Sequence, residues 1–323
     1  MSRELEHDAL LHDGPDHLAS VGRSFVRDGL ARGEHVLLVC DGDAPADPLS
    51  ALGADLGDGG RVEVLPRSEP PLKVAAVVDR YRRFATRARS EHAPGARVVG
   101  TVATGSDPES LRRLELLETM CNLALGGLPL WAVCAYDLRT TSPEVLGAVG
   151  RTHPVLRRDG RRDANPGYIG PSGRLGELQL RRVPGVDPVL DLPRLHTPGD
   201  VIGARRRLRR VLELSGTSPD VRDAAVISVG ELTANALVHG TSPVALAVWV
   251  EPDRVVCTVS DRGGGTADVG VGYGREDETV PGVLGPSGLW LVRRLVDDLS
   301  LHHRAGWFVA RIEIGVPAAD AIR

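Results

Sequence analysis

Glu231-Leu232-Thr233-Ala234-Asn235-Ala236-Leu237-Val238-His239-Gly240 places a carboxylate, a carboxamide and an imidazole at i, i+4 and i+8. Residues four apart share one face of a helix, and Ala225, Val229, Leu232 and Ala236 form a separate apolar stripe on a neighbouring face. One stripe packs; the other is left to interact. Ser218 followed by Pro219 and Asp220 reads as a helix start, and Gly240 as its stop. A carboxylate beside a Mg²⁺ held at the Asn can serve as a base. Alone, the pattern is more often that of a solvated polar face.

The next sixty residues, to Leu299, add to it. Val244 to Val250 and Val255 to Ser260 read as two strands joined by a Glu-Pro-Asp-Arg turn, so Asp261 stands where the second strand opens into Gly263, Gly264 and Gly265. A carboxylate there can accept a hydrogen bond from an exocyclic amine such as the adenine N6, and glycines let backbone approach a ligand closely. An ordinary glycine-rich loop is the alternative. Thr266 to Ser287 is long for a loop and suits a mobile lid. Gly288 then opens an amphipathic helix with Leu289, Val292, Leu295 and Leu299 on one side, whose first N–H groups suit a phosphate.

This order of helix, hairpin, glycine loop, lid, glycine-started helix and final hairpin resembles the GHKL ATPase superfamily of gyrase, the ninety-kilodalton heat-shock chaperone and the histidine kinases. Within it, the chain resembles the compact branch of bacterial anti-sigma factors with serine kinase activity. The resemblance spans residues 196–317 and implies an α+β ATPase sandwich binding ATP and Mg²⁺. It makes Glu231 the catalytic base, Asn235 the Mg²⁺ ligand and Asp261 the adenine-reading acid with Gly263 and Gly265 its glycines. Gly288 and Leu289 fall in the second glycine box. Two positions depart from the pattern. Pro286 stands where that box expects its first glycine, which fixes φ and removes an N–H, and the closing strand Phe308 to Ile314 lacks a threonine.

A sensor histidine kinase would need a phosphoacceptor on a helical hairpin upstream. The nearby His196 lies between Leu195 and Thr-Pro-Gly, a linker composition. Near Ala204 to Leu214 a helix carries Arg205, Arg206, Arg207, Arg209 and Arg210, which suits an acidic partner or a plain solvated surface.

The first half alternates strands (Ala9 to His12, Val36 to Cys40, Val62 to Leu65, Val98 to Ala103, Leu130 to Tyr136) with helices (His17 to Ala31, Leu49 to Leu56, Leu72 to Arg89, Pro108 to Leu125). Such alternation predicts an α/β, doubly wound, largely parallel sheet. The loop His12 to His17 holds no Gly-Lys-Ser/Thr, so it is no P-loop. His7-Asp-Ala-Leu-Leu11, Arg32-Gly-Glu34, Cys134-Ala-Tyr-Asp137 and Thr152-His-Pro154 resemble the MEDS sensory domain, a RecA-like module, over residues 5–175. That likeness implies sensing of a small-molecule signal. His7, Cys134, Asp137 and His153 are its candidate ligand set, as donors to a metal or signal, with structural roles as the alternative. Residues 176–195, rich in proline, read as a semi-rigid linker with a boundary near Pro193.

With 323 residues and 42% hydrophobic content the chain can bury two cores. No apolar run approaches the roughly 20 residues of a membrane span, and Met1 to Pro15 is too polar for a signal peptide. A cytoplasmic location without membrane contact is expected. Cys40, Cys121, Cys134 and Cys257 show no paired spacing and read as buried thiols. A net charge of −4 without a basic stripe, and only 3% aromatics, speak against direct nucleic-acid binding. The resemblances together imply an ATP-dependent serine/threonine kinase that holds a sigma factor and acts on its anti-sigma antagonist under sensory control. The alternatives are a catalytically silent ATPase-fold scaffold, an atypical histidine kinase-like protein, and a sensor whose second half only dimerises. Homodimerisation stays open.

Overall fold

The computed structural model describes residues 4–40, 49, 61–66, 73–102, 105–265, 271–273 and 288–316. The chain forms two compact units, Met1–Arg174 and Leu175–Arg323.

The first unit runs β1 (Glu6–His12), α1 (Pro15–Ala31), β2 (His35–Cys40), β3 (Val62–Pro66), α2 (Val74–Ser90), β4 (Ala96–Thr101), α3 (Pro108–Ala124), β5 (Leu130–Asp137), α4 (Pro143–Thr152), β6 (Val155–Arg158) and β7 (Arg161–Ala164). Its sheet has the order β3-β2-β4-β5-β1-β6-β7. Every pairing is parallel except the closing β6–β7 hairpin. The helices start where the sequence says they should: the Asp107 carboxylate accepts from the N–H groups of Glu109 and Ser110, and Ser142 from Val145, each just ahead of a proline at the first helical turn. Parallel strands are apolar on both faces because both are covered. Accordingly Leu10, Val36, Leu38 and Val133 pack with Leu18 and Phe25 of α1, while Ala9 and Tyr136 pack on the other side with Leu114 of α3 and Val145 and Val149 of α4. The helix expected over Leu49 to Leu56 lies, beyond the buried Leu49, outside the described residues.

Helix α5 (Pro171–Leu178) crosses the boundary between the units. The second unit continues with β8 (Leu190–Leu195), α6 (Pro198–Leu214), α7 (Pro219–His239), β9 (Val244–Val250), β10 (Arg254–Asp261), α8 (Gly288–Leu295), β11 (Asp298–Arg304) and β12 (Trp307–Gly315). Its strands form an antiparallel sheet ordered β11-β12-β10-β9-β8. Alternate residues Leu246, Val248, Val255, Cys257, Ile312 and Ile314 meet Leu208 and Leu212 of α6, Val292 of α8, and the α7 stripe Ala225, Val229, Leu232 and Ala236. A parallel-dominated sheet and a separate antiparallel sheet, each with helices, thus make a mixed α/β chain.

Two expectations change. The stretch 176–195, read as linker, ends in β8, an edge strand of the second sheet. Pro193 sits within it, which an edge tolerates because an outward-facing position needs no N–H; the pairing register shifts between Leu192 and Leu195. Leu299 belongs not to α8 but to β11. The helix closes with Val296 N–H on Val292 O, and Asp297 N–H already donates to Glu313 O of β12. No helix among the described residues is long and apolar enough to cross a membrane.

Candidate functional site

In the second unit the chemistry-bearing residues gather at one end of α7. The helix begins on Pro219 without a side-chain cap from Ser218, and ends on Gly240, whose N–H donates to Ala236 O. Gly240 is in an extended conformation rather than a left-handed one. Glycine is required there by crowding: a Cβ would stand 2.5 Å from both Ala236 O and the Asp261 carboxyl. Asp261, 4% exposed at the end of β10, is wedged against this helix end. Its Oδ1 accepts from Gly263 N–H at 2.6 Å and Thr241 N–H at 3.1 Å, while Oδ2 takes no hydrogen bond among the described residues. A carboxylate fixed by backbone donors on one oxygen presents the other in a set direction. Gly263 is equally tight, a Cβ meeting Asp261 Oδ1 at 2.7 Å. Gly265 has φ +62° and lies against the Phe308 ring of β12, so both its conformation and its contact exclude a side chain.

Glu231 and Asn235 are half-buried on the same α7 face, and His239 is exposed. They face the start of α8: a Cβ on Gly288 would lie 2.6 Å from Glu231 Oε2 and 3.4 Å from Asn235 Nδ2. The carboxylate and the carboxamide therefore border a helix N-terminus, where N–H groups and the helix dipole favour an anion. Leu289 packs partly buried on the core and against Gly272, so its side chain anchors the helix. A residue that pattern reading passes over completes the frame. Arg293, buried in α8, donates through Nε to Val271 O at 2.8 Å and lies 4.0 Å over the Tyr273 ring. Pro286 and, apart from 271–273, the expected lid Thr266 to Ser287 lie outside the described residues. His196 precedes α6, its ring on Ser242 Oγ at 2.7 Å, and is not on a helix. The α6 arginines are exposed, with Arg209 paired to Asp223 and Arg210 to Glu213.

In the first unit, three of the four proposed sensory residues meet. His7 of β1, Cys134 of β5 and His153 after α4 converge with Glu118 of α3, their donor atoms all within 4.8 Å of one another. Asp137 is not among them. Side chains alternate along a strand, so Asp137 points to the face opposite Cys134 and pairs with Arg139 at 2.6 Å, whose guanidinium holds its carboxyl at about 2. Glu118 is the residue missed. It interrupts an apolar α3 stripe of Leu114, Cys121 and Leu125, and an acid within such a stripe was the available signal. Burial alone would raise the Glu118 carboxyl, but the His7 and His153 imidazoles and the Tyr136 hydroxyl bring it down to about 2. Burial and His7 push His153 down to about 4. His7 is raised, because Glu118 outweighs its burial, and burial with Glu118 pushes the Cys134 thiol well up.

Comparison with known proteins agrees with this division. Residues 6–154 match the model of MEDS, the MEthanogen/methylotroph, DcmR Sensory domain. Residues 196–312 match that of the histidine kinase-like ATPase domain. No curated protein matches the chain. Among solved structures, the RsbU and RsbW domains of Rv1364c from Mycobacterium tuberculosis are similar at 21% identity with a TM-score of 0.30, over 40% of this chain and 33% of that one. The chain thus spans about a third of that structure.

Proposed function

We propose that this chain, which joins a MEDS sensory domain to a histidine kinase-like ATPase domain, is a signalling regulator that binds ATP and Mg²⁺ through its C-terminal unit. In this reading it sequesters a sigma factor and phosphorylates a serine on that factor's antagonist, with domains at 5–175 and 196–317, a doubly wound first sheet and a GHKL sandwich in the second. The observation that carries it is the junction of α7, β10 and α8: Glu231 and Asn235 at the Gly288 helix start, beside an Asp261 with one oxygen tethered.

These residues fit the nucleotide. Asp261 Oδ2 can accept from an exocyclic amine, the oxygen of the Asn235 carboxamide is a hard donor suited to Mg²⁺, and the first N–H groups of a helix such as α8 suit phosphate oxygens. When bound, ATP supplies the phosphoryl group and Mg²⁺ its charge neutralisation. Glu231 takes the proton of the attacking serine hydroxyl, and its half-buried setting against Gly288 limits water at that point. Four free cysteines fit work in the reducing cytoplasm.

The test uses the full chain. Partners are captured from native cytoplasm and incubated with γ-labelled ATP and Mg²⁺, and serine labelling of a captured protein is expected. Calorimetric binding of ATP without any transfer would leave the silent scaffold instead.

A further inference from the structure

The cluster around Glu118 poses a bonding problem independent of the kinase reading. The Asn122 amide nitrogen donates to Glu118 O at 3.1 Å and Thr152 O at 2.7 Å, which turns its oxygen toward His7 Nδ1 at 2.9 Å. That ring nitrogen must therefore carry a hydrogen, so that Nε2, facing Glu118 Oε2 at 3.3 Å, is the nitrogen left for a proton or a ligand. His153 is set the same way: its Nδ1 faces the Val149 carbonyl at 3.2 Å, and its buried Nε2 has no hydrogen-bond partner. Glu118 has its Oε1 occupied by the Tyr136 hydroxyl at 3.0 Å and turns Oε2 inward. The inner nitrogens of two imidazoles, a carboxylate oxygen and a sulfur thus converge. His7, Glu118 and His153 are 2%, 3% and 0% exposed, so water does not supply the partner that His153 Nε2 lacks.

The spacing fits a cation. Zinc-class ions bind N and O donors at about 2.0–2.2 Å and sulfur at about 2.3 Å, and a tetrahedron of such bonds sets donor-to-donor edges of roughly 3.3–3.8 Å. Four of the six edges are 3.3 Å for His7 Nε2 to Glu118 Oε2, 3.5 Å for Cys134 Sγ to His7 Nε2, 3.7 Å for Cys134 Sγ to Glu118 Oε2 and 3.8 Å for His153 Nε2 to Glu118 Oε2, and the two from His153 to His7 and Cys134 are within 4.8 Å. Ligand residues whose far atoms are held by a carbonyl or an amide are also what fixes tautomer and ring orientation in metal sites. His7, Glu118 and Cys134 line a mainly apolar cavity of about 370 Å³, which gives an ion a way in.

We propose that His7, Glu118, Cys134 and His153 form a binding site for one divalent transition-metal ion of the zinc class, set in the wall of the first unit's cavity. The mixed nitrogen, sulfur and oxygen donor set favours such a borderline ion over Mg²⁺ or Ca²⁺, which prefer oxygen alone. On binding, the Cys134 thiol hydrogen and any proton on His7 Nε2 leave to solvent, and the thiolate and the neutral imidazole coordinate. Asn122 and Tyr136 are positioning residues for the imidazole of His7 and the carboxylate of Glu118.

Cobalt(II) tests this, because tetrahedral thiolate coordination gives intense visible bands and a sulfur-to-metal charge-transfer band in the near ultraviolet. Full-length protein is stripped with a chelator, checked for folding by circular dichroism and titrated with Co²⁺. One equivalent bound with both features is expected, displaced by Zn²⁺. Cys134→Ser should lose the charge-transfer band, and Glu118→Gln should weaken binding by 10-fold or more, about one unit in log Kd. Asp137→Asn, away from the cluster, should titrate like the wild type. Absence of bands from the folded wild-type chain, or a charge-transfer band that survives Cys134→Ser, overturns the proposal. Because the wild-type spectrum decides by itself, a variant that fails to fold does not spare it.

Discussion

Asp261→Asn separates what this residue does for the fold from what it does for a ligand. The replacement is nearly isosteric. Its carboxamide oxygen can take the place of Oδ1 and keep both backbone donors, Gly263 N–H at 2.6 Å and Thr241 N–H at 3.1 Å. The amide nitrogen then takes the place of Oδ2 and can only donate. Two charge-assisted bonds become neutral ones, a loss of about 2 kcal/mol in stability. Toward an adenine amine the change is more severe, because donor meets donor and a bond of roughly 1.5–3 kcal/mol is lost, or about 10- to 150-fold in affinity. A ligand with a carbonyl at that position gains an N–H to bond. ATP affinity should therefore fall and the preference for ATP over GTP should narrow. Calorimetry with both nucleotides in the presence of Mg²⁺, on full-length wild type and variant, measures this, with thermal unfolding alongside. Equal ATP affinities would refute the reasoning. Lower stability at unchanged affinity would make Asp261 only a brace between Gly240 and Gly263.

Glu231→Gln should leave nucleotide affinity nearly intact and slow phosphate transfer by roughly 10²-fold or more, as read by partner labelling; transfer at the wild-type rate would remove the base assignment. Gly288→Ala should slow transfer with little loss of stability, because its Cβ meets the movable end of Glu231 at 2.6 Å. Gly240→Ala meets a backbone carbonyl and the braced Asp261 at 2.5 Å, an overpacking cost of about 1–3 kcal/mol. Gly264→Ala, with open space around it, should unfold like the wild type, and denaturant midpoints distinguish the two. In the first unit, burial alone would raise the Asp8 carboxyl, yet Arg162 and Arg157 bring it below its ordinary value. A carboxyl depressed on folding stabilises above its unfolded pKa of about 3.9 and loses that contribution as pH falls through the folded value. Urea midpoints should thus drop below about pH 4, and less steeply in Asp8→Asn; parallel profiles would exclude Asp8 as the cause.

Periodicity made most of the fold readable. The α7 stripe Ala225, Val229, Leu232 and Ala236 is buried as its spacing requires, and Asp261 closes the strand that alternation marks out. What escaped has physical reasons. A buried acid such as Glu118 is marked in sequence only by the apolar stripe it interrupts, and not by its partners, because His7, Cys134 and His153 come from three distant segments. Asp137 misled through adjacency: near Cys134 in the chain, it lies on the other face of β5. Leu299 continues the helical spacing of Val292 and Leu295 only by coincidence, since the antiparallel pairing with Ile312 claims it for β11. Proline-rich composition hid β8, because edge strands accept residues that inner strands reject.

That hidden strand governs where the chain can be cut. A fragment beginning at residue 196, where the ATPase-domain match starts, would discard β8 and with it Leu192 and Leu195, 9% and 5% exposed. The freed side of β9 would present unpaired N–H and C=O groups next to newly wetted Val244, Leu246 and Val248, the kind of edge on which chains stack and precipitate. It would also lose the Val186 carbonyl that receives the Trp249 indole N–H at 2.8 Å. A fragment starting at Leu175 keeps all of these, so the stretch between the two matches travels with the second unit, and an insoluble 196–323 product would report a torn sheet rather than a domain unable to fold.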